Sequence, residues 1–187
     1  GDDVARLARG VDRARDVGSD LVVFPELAVS GYPPEDLLLR PSFLAANERA
    51  IDAIARSTAG LTAVVGFAHR EAGELYNAAA VLHDGCLRCT HHKSHLPNYS
   101  VFDEQRYFRG GGRPAVLQRG PARLAVSVCE DIWVPIGPPQ RQALAGAELL
   151  VNLSASPYSR GKAPRRERML AVRAADNTAF VAFCNLV

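Results

Sequence analysis

Three residues stand where a protein places reactive groups. Cys129 closes the apolar run 124–128, LAVSV, and is followed at once by Glu130 and Asp131. A strand that delivers one thiol to a polar turn presents a nucleophile, but an ordinary thiol is only slightly ionised at neutral pH and needs a base. No histidine lies in that segment, and two carboxylates aimed at the sulfur would raise its pKa, so the activating group must come from elsewhere in the chain. Glu26 follows a second apolar run, 21–24, stopped by Pro25. Lys93 lies in HKSHLPNY, 92–99, beyond a third apolar run at 78–82. A glutamate, a lysine and a cysteine at three strand ends can converge on one edge of a sheet, which is where α/β folds build sites.

Each residue has a plainer reading. Cysteine is among the most buried residue types, so Cys129 read alone is a structural thiol. Glu26 alone is a surface carboxylate, and Lys93 alone a solvated cation. His91, His92 and His95 flank Lys93 and raise the question of a zinc hydrolase. Adjacent side chains on a strand face opposite ways, however, and suitably spaced acidic partners are missing, so no metal is expected. Cys86 and Cys89 read as two strand residues on opposite faces rather than half a zinc site.

The elements that must position these groups follow from periodicity. Apolar residues at positions 4, 7, 8, 11 and 14 predict a helix over 4–17, and 44–55 predicts a second. Strands are expected at 20–24 and at 61–68, where Gly66 signals a close approach of another backbone. Strands 76–82 and 86–91 flank Asp84-Gly85 as a hairpin. The stretch 98–112 is a long aromatic loop of the kind that carries function. Strands at 115–118, 123–128, 148–153 and 179–185 alternate with helices at 139–147 and 163–177. This pattern predicts an α/β layered domain with a mixed sheet.

Composition sets outer limits. The 187 residues are enough for one core, with 48% apolar and 22% charged residues. A net charge of +2 offers no field for nucleic acid, and no apolar run is long enough for a membrane span. Four cysteines, two of them in or after apolar strands, fit reduced intracellular use, so a cytoplasmic location is expected.

The stretches FPELAVSGYP (24–33), KSHLPNYSVFDEQRYF (93–108), VCEDIW (128–133) and NLSASPYSRGK (152–162) resemble the nitrilase, or carbon-nitrogen hydrolase, superfamily. Among its branches they are most similar to the glutaminase domains of glutamine-dependent NAD synthetases. The resemblance implies an α-β-β-α sandwich of the nitrilase type, here truncated at both ends, with 1–187 as the glutaminase domain and the synthetase domain absent. It implies Cys129 as nucleophile, Glu26 as base, and Lys93 as oxyanion stabiliser helped by the backbone N–H of Glu130. It implies Tyr99, Ser156 and Lys162 as glutamine contacts. Glu104 is either a second carboxylate supporting Lys93 or a partner of Arg106 or Arg109. Ser100 departs from the glycine usual after Asn-Tyr. Glutamine is the implied substrate, with no cofactor for this part, ATP and Mg in the synthetase part, deamido-NAD met only through that part, and a homo-oligomeric assembly. An amidase or nitrilase acting on another small amide, and an assembly module without turnover, are the rival readings.

Overall fold

In the computed structural model, residues 2–99, 102–112 and 114–186 are described. Ser100 lies outside them. The elements in chain order are helix α1 (Asp2–Asp16), strand β1 (Leu21–Val23), helix α2 (Pro41–Ala55), strands β2 (Thr62–Glu71), β3 (Glu74–His83) and β4 (Cys86–His92), strands β5 (Val116–Arg119) and β6 (Ala122–Val128), helix α3 (Pro138–Leu144), strand β7 (Leu149–Ser154), helix α4 (Lys162–Asn177) and strand β8 (Phe180–Asn185). Every strand and helix expected from periodicity is present, with boundaries shifted by a few residues.

The strands form two four-stranded sheets, β1-β2-β3-β4 and β5-β6-β7-β8, each of mixed sense. Strand pattern alone suggests one mixed sheet. The chain instead leaves the first sheet after β4 and begins the second at β5, through the long aromatic loop. The sheets pack face to face. Val64, Ala79 and Val81 of the first meet Leu124, Val126, Val128, Val151 and Leu153 of the second in one buried cluster. Because side chains alternate along a strand, the intervening residues Ala63, Val65, Ala78, Ala80 and Leu82 face the other way. They pack under Leu7 and Val11 of α1 and Ile51 and Ile54 of α2. The outer face of the second sheet carries a smaller cluster at Ala125, Ala147 and Leu150. This is the helix-sheet-sheet-helix layering that the resemblance implies.

Topology then decides where the reactive groups meet. β1 pairs parallel to β2, while β2–β3 and β3–β4 are both antiparallel. β1 and β4 therefore point the same way, and the residues after their carboxyl ends, Glu26 and Lys93, share one edge. In the second sheet β6, β7 and β8 are mutually parallel, so Cys129 and the residues after Ser154 also share an edge. Among the described residues, no helix is long and apolar enough to cross a membrane.

Candidate active site

Lys93 is fully buried and holds two carboxylates at once. Its Nζ donates to Glu26 Oε1 and to Glu104 Oε1, each at 2.7 Å. Glu104 therefore pairs with the lysine, while Arg106 turns to Asp36 and Arg109 to Glu74. Asn77 bridges the same carboxylates, donating from Nδ2 to Glu26 Oε1 at 2.8 Å and to Glu104 Oε2 at 3.3 Å. The backbone N–H of Ala155, just past β7, donates to the other oxygen of Glu26 at 2.8 Å. That bond joins the edge of the second sheet to the base candidate on the first.

The charges inside this network are set by burial and by one another. Burial pulls the Lys93 pKa down, but Glu26, Cys129 and Glu104 outweigh it and hold the ammonium well above its ordinary value. Burial pushes Glu104 up to about 7, with Lys93 pulling it down and Glu26 pushing it further up.

Cys129 sits directly after β6 at φ 43°, in the left-handed region that residues with a side chain rarely occupy. A 3-10 turn, Cys129–Ile132, follows it. The sulfur is 4% exposed and accepts a hydrogen bond from Ser154 Oγ at 3.5 Å. Burial pushes the thiol up to about 12, Glu26 adds to the rise, and Lys93 opposes it. Burial and Glu26 oppose ionisation of the sulfur more than the lysine favours it. A thiol in such a setting can act as a nucleophile only where a base takes its proton during attack.

Asp131 explains how the elbow and the lysine strand keep register. It is fully buried, and burial would raise its carboxyl, but hydrogen bonds from His91 and His95 hold it well below the usual carboxylate range. Its oxygens accept from Val128 N at 3.1 Å, Ser94 N at 3.0 Å and His95 N at 2.9 Å. His91 Nε2 and His95 Nδ1 complete the set at 3.2 and 3.1 Å. The Asp131 carboxylate thus ties the backbone just before Cys129 to the backbone just after Lys93. His92 takes a different role, stacking on Tyr76 at 3.9 Å and hydrogen bonding to His69 at 2.9 Å.

A cavity of about 910 Å³ opens beside this network, lined among others by Glu104, Phe102, Ser156, Lys162 and Arg166. Ser156 is held by Asn185, whose Oδ1 accepts from Ser156 N at 3.0 Å. Lys162 Nζ donates to Pro157 O at 3.2 Å. Burial and Arg166 lower the lysine's pKa. Tyr99 and Glu130 pair with each other at 3.1 Å, and neither borders the cavity. Cys129 also lies outside its lining. Ser156 and Lys162 thus line one cavity, Cys129 stands near enough for its charge to act on Lys162, and Tyr99 is off the cavity's wall. The reason is local: Tyr99 is 56% exposed, held outward on Glu130 and edge-on to Phe102, which takes the wall position.

Gly66 fulfils the close approach expected of it. A Cβ there would lie 2.5 Å from Leu27 N and 2.7 Å from Glu26 Cα, and closer still to Pro25 O. All three are backbone atoms and cannot swing aside. Gly66→Ala is expected to cost about 1–3 kcal/mol and to displace Glu26. A denaturation midpoint equal to the parent's would show that the backbone has room.

The layered fold with a buried glutamate, lysine and cysteine at one edge defines a class of amide- and nitrile-cleaving enzymes. A carbon-nitrogen hydrolase family model matches residues 2–187, and the chain belongs to that family of enzymes. It is 48% identical over 171 residues to the glutamine-dependent NAD(+) synthetase of Aquifex aeolicus, covering 90% of this chain and 30% of that protein. The glutamine-dependent NAD+ synthetase of Acinetobacter baumannii, solved with ADP, superposes with a TM-score of 0.95 at 33% identity, over 100% of this chain and 35% of that one. An amidase from Nesterenkonia sp. superposes with a TM-score of 0.84 at 25% identity, over 98% of this chain and 69% of that one. The chain spans about a third of the length of the synthetases it matches.

Proposed function

We propose that this chain hydrolyses the side-chain amide of glutamine and supplies the ammonia to an ATP-dependent amidation of deamido-NAD. Cys129 attacks the amide carbon as Glu26 takes the thiol proton. The tetrahedral oxyanion forms against the Lys93 ammonium and the backbone N–H of Glu130. Glu26 returns the proton to the leaving nitrogen, ammonia departs, and a glutamyl thioester remains. Water, deprotonated by Glu26, attacks the thioester, releasing glutamate and the thiol. Glu104 and Asn77 fix the lysine and the base. The observation that carries this reading is Lys93 held between two carboxylates in a buried site beside a cysteine at positive φ. Similarity to glutamine-dependent NAD synthetases supports glutamine as the amide and the synthetase as the consumer.

Recognition must come from glutamine's charged α-groups, since its reacting end is neutral. Lys162 fits the α-carboxylate and Ser156 the polar groups around it, with Tyr99 at the mouth of the site. Lys162→Ala is expected to lower kcat/KM for glutamine about ten- to a hundredfold. Its effect on reaction of Cys129 with a small uncharged thiol reagent should be much smaller. Equal losses in both assays would assign Lys162 to the fold or to the sulfur. Comparing glutamine with other small amides tests the reading as a whole, and a preference for an uncharged amide would replace it with a general amidase.

A further inference from the structure

We propose that Arg166 is a specificity-determining residue that clamps the substrate's carboxylate alongside Lys162. This rests on the proposed glutaminase reading and deepens it.

Four observations converge on Arg166. Its side chain lines the same cavity as Glu104, Ser156 and Lys162. Its Nε is buried and has no hydrogen-bond partner. A buried guanidinium N–H without an acceptor is costly, and proteins keep such groups where a ligand completes them. Among the described residues, no carboxylate lies within ion-pair distance of it, whereas the cavity's other arginine, Arg106, is paired with Asp36. Finally, its guanidinium lies over the Phe183 ring at 5.2 Å, which holds the planar group in place.

Chemistry separates the two cations. Lys162 Nζ already donates to Pro157 O, so part of its capacity is committed. It is a point charge on a flexible stem. A guanidinium presents paired N–H groups in a rigid fork that matches both oxygens of a carboxylate. Arg166 is one helical turn beyond Lys162, and residues four apart on a helix are neighbours on its surface. Two like charges side by side are unfavourable when empty, and an anion between them relieves the repulsion. Glu104 lines the same cavity, so a zwitterion with its carboxylate toward α4 suits the cavity's polarity. The ligand class is an amide bearing a carboxylate several bonds from the reacting carbon.

The test compares substrates that differ only in that group. Glutamine, 4-carbamoylbutanoate (no α-amino group) and 4-aminobutanamide (no carboxylate) are assayed with the natural polypeptide that carries this chain. Wild type should prefer the two carboxylates. Arg166→Ala should lower the ratio of kcat/KM for glutamine to that for 4-aminobutanamide about ten- to a hundredfold. The loss should fall equally on 4-carbamoylbutanoate. Arg166→Lys should restore part of the ratio, because charge returns but the fork does not. A ratio unchanged in both variants overturns the proposal, as does a parallel fall on all three substrates, which would mark Arg166 as structural. A wild type indifferent to the carboxylate would instead defeat the glutaminase reading itself.

Discussion

Replacing Cys129 with alanine is expected to lower glutamate release from glutamine by at least about four orders of magnitude, since the proposed thioester forms on this sulfur. The fold should survive, because the change removes one sulfur from a strand end and leaves the Asp131 bonds to Val128, Ser94 and His95 untouched. Under the proposed function, ammonia-driven amidation of deamido-NAD should persist, since free ammonia bypasses this site. Glutamate release near the parental rate would remove Cys129 from the mechanism. Loss of ammonia-driven synthesis together with glutaminase activity would mean that the substitution disturbs more than this site.

The second large effect is expected at Lys93. Lys93→Met fills nearly the same space and removes the charge that holds Glu26 and Glu104 together. Breaking a buried ion pair by deleting one partner leaves an uncompensated buried charge, so a loss of about 3–5 kcal/mol of stability is expected along with glutaminase activity. The deficit should depend on pH. Glu104 is already raised to about 7 by burial, and Lys93 is what pulls it down. Without the lysine its folded value rises further above its unfolded value. A raised carboxyl binds more protons when folded, so its contribution is present at low pH and lost as pH rises through the folded value. Urea unfolding at pH 5 and pH 8 should therefore show the larger difference from the parent at pH 8. A deficit independent of pH would mean that Glu104 is not the group left unpaired.

Strand ends were the legible part of this molecule. Cys129 and Glu26 each follow an apolar run and Lys93 follows the last strand of the first sheet, and a polar residue there must face a site or solvent. Gly66 was legible for a related reason, since a glycine inside an apolar strand implies another backbone against it. Asn77 was missed, although its signal was present: a polar residue within the apolar stretch of β3 needs buried partners, and it finds them on both glutamates. Asp131 was seen only as a neighbour of the thiol. Its true direction, onto the backbone after β4, depends on how two sheets pack, and no local pattern encodes that. The split into two sheets was hidden for the same reason, because periodicity reports which face of a strand is buried and not which sheet it joins. Tyr99 lies on a loop whose course is set by Glu130 and Phe102, two contacts that spacing does not reveal.

The buried, protonated state of Cys129 has a consequence for life in an oxidising environment. Peroxides and disulfides react with thiolates, so a thiol raised to about 12 and 4% exposed is a poor target at neutral pH. Cys86, which is exposed on β4 away from the network, meets oxidants first. The burial that opposes ionisation of Cys129 thus also shields its sulfur from oxidants.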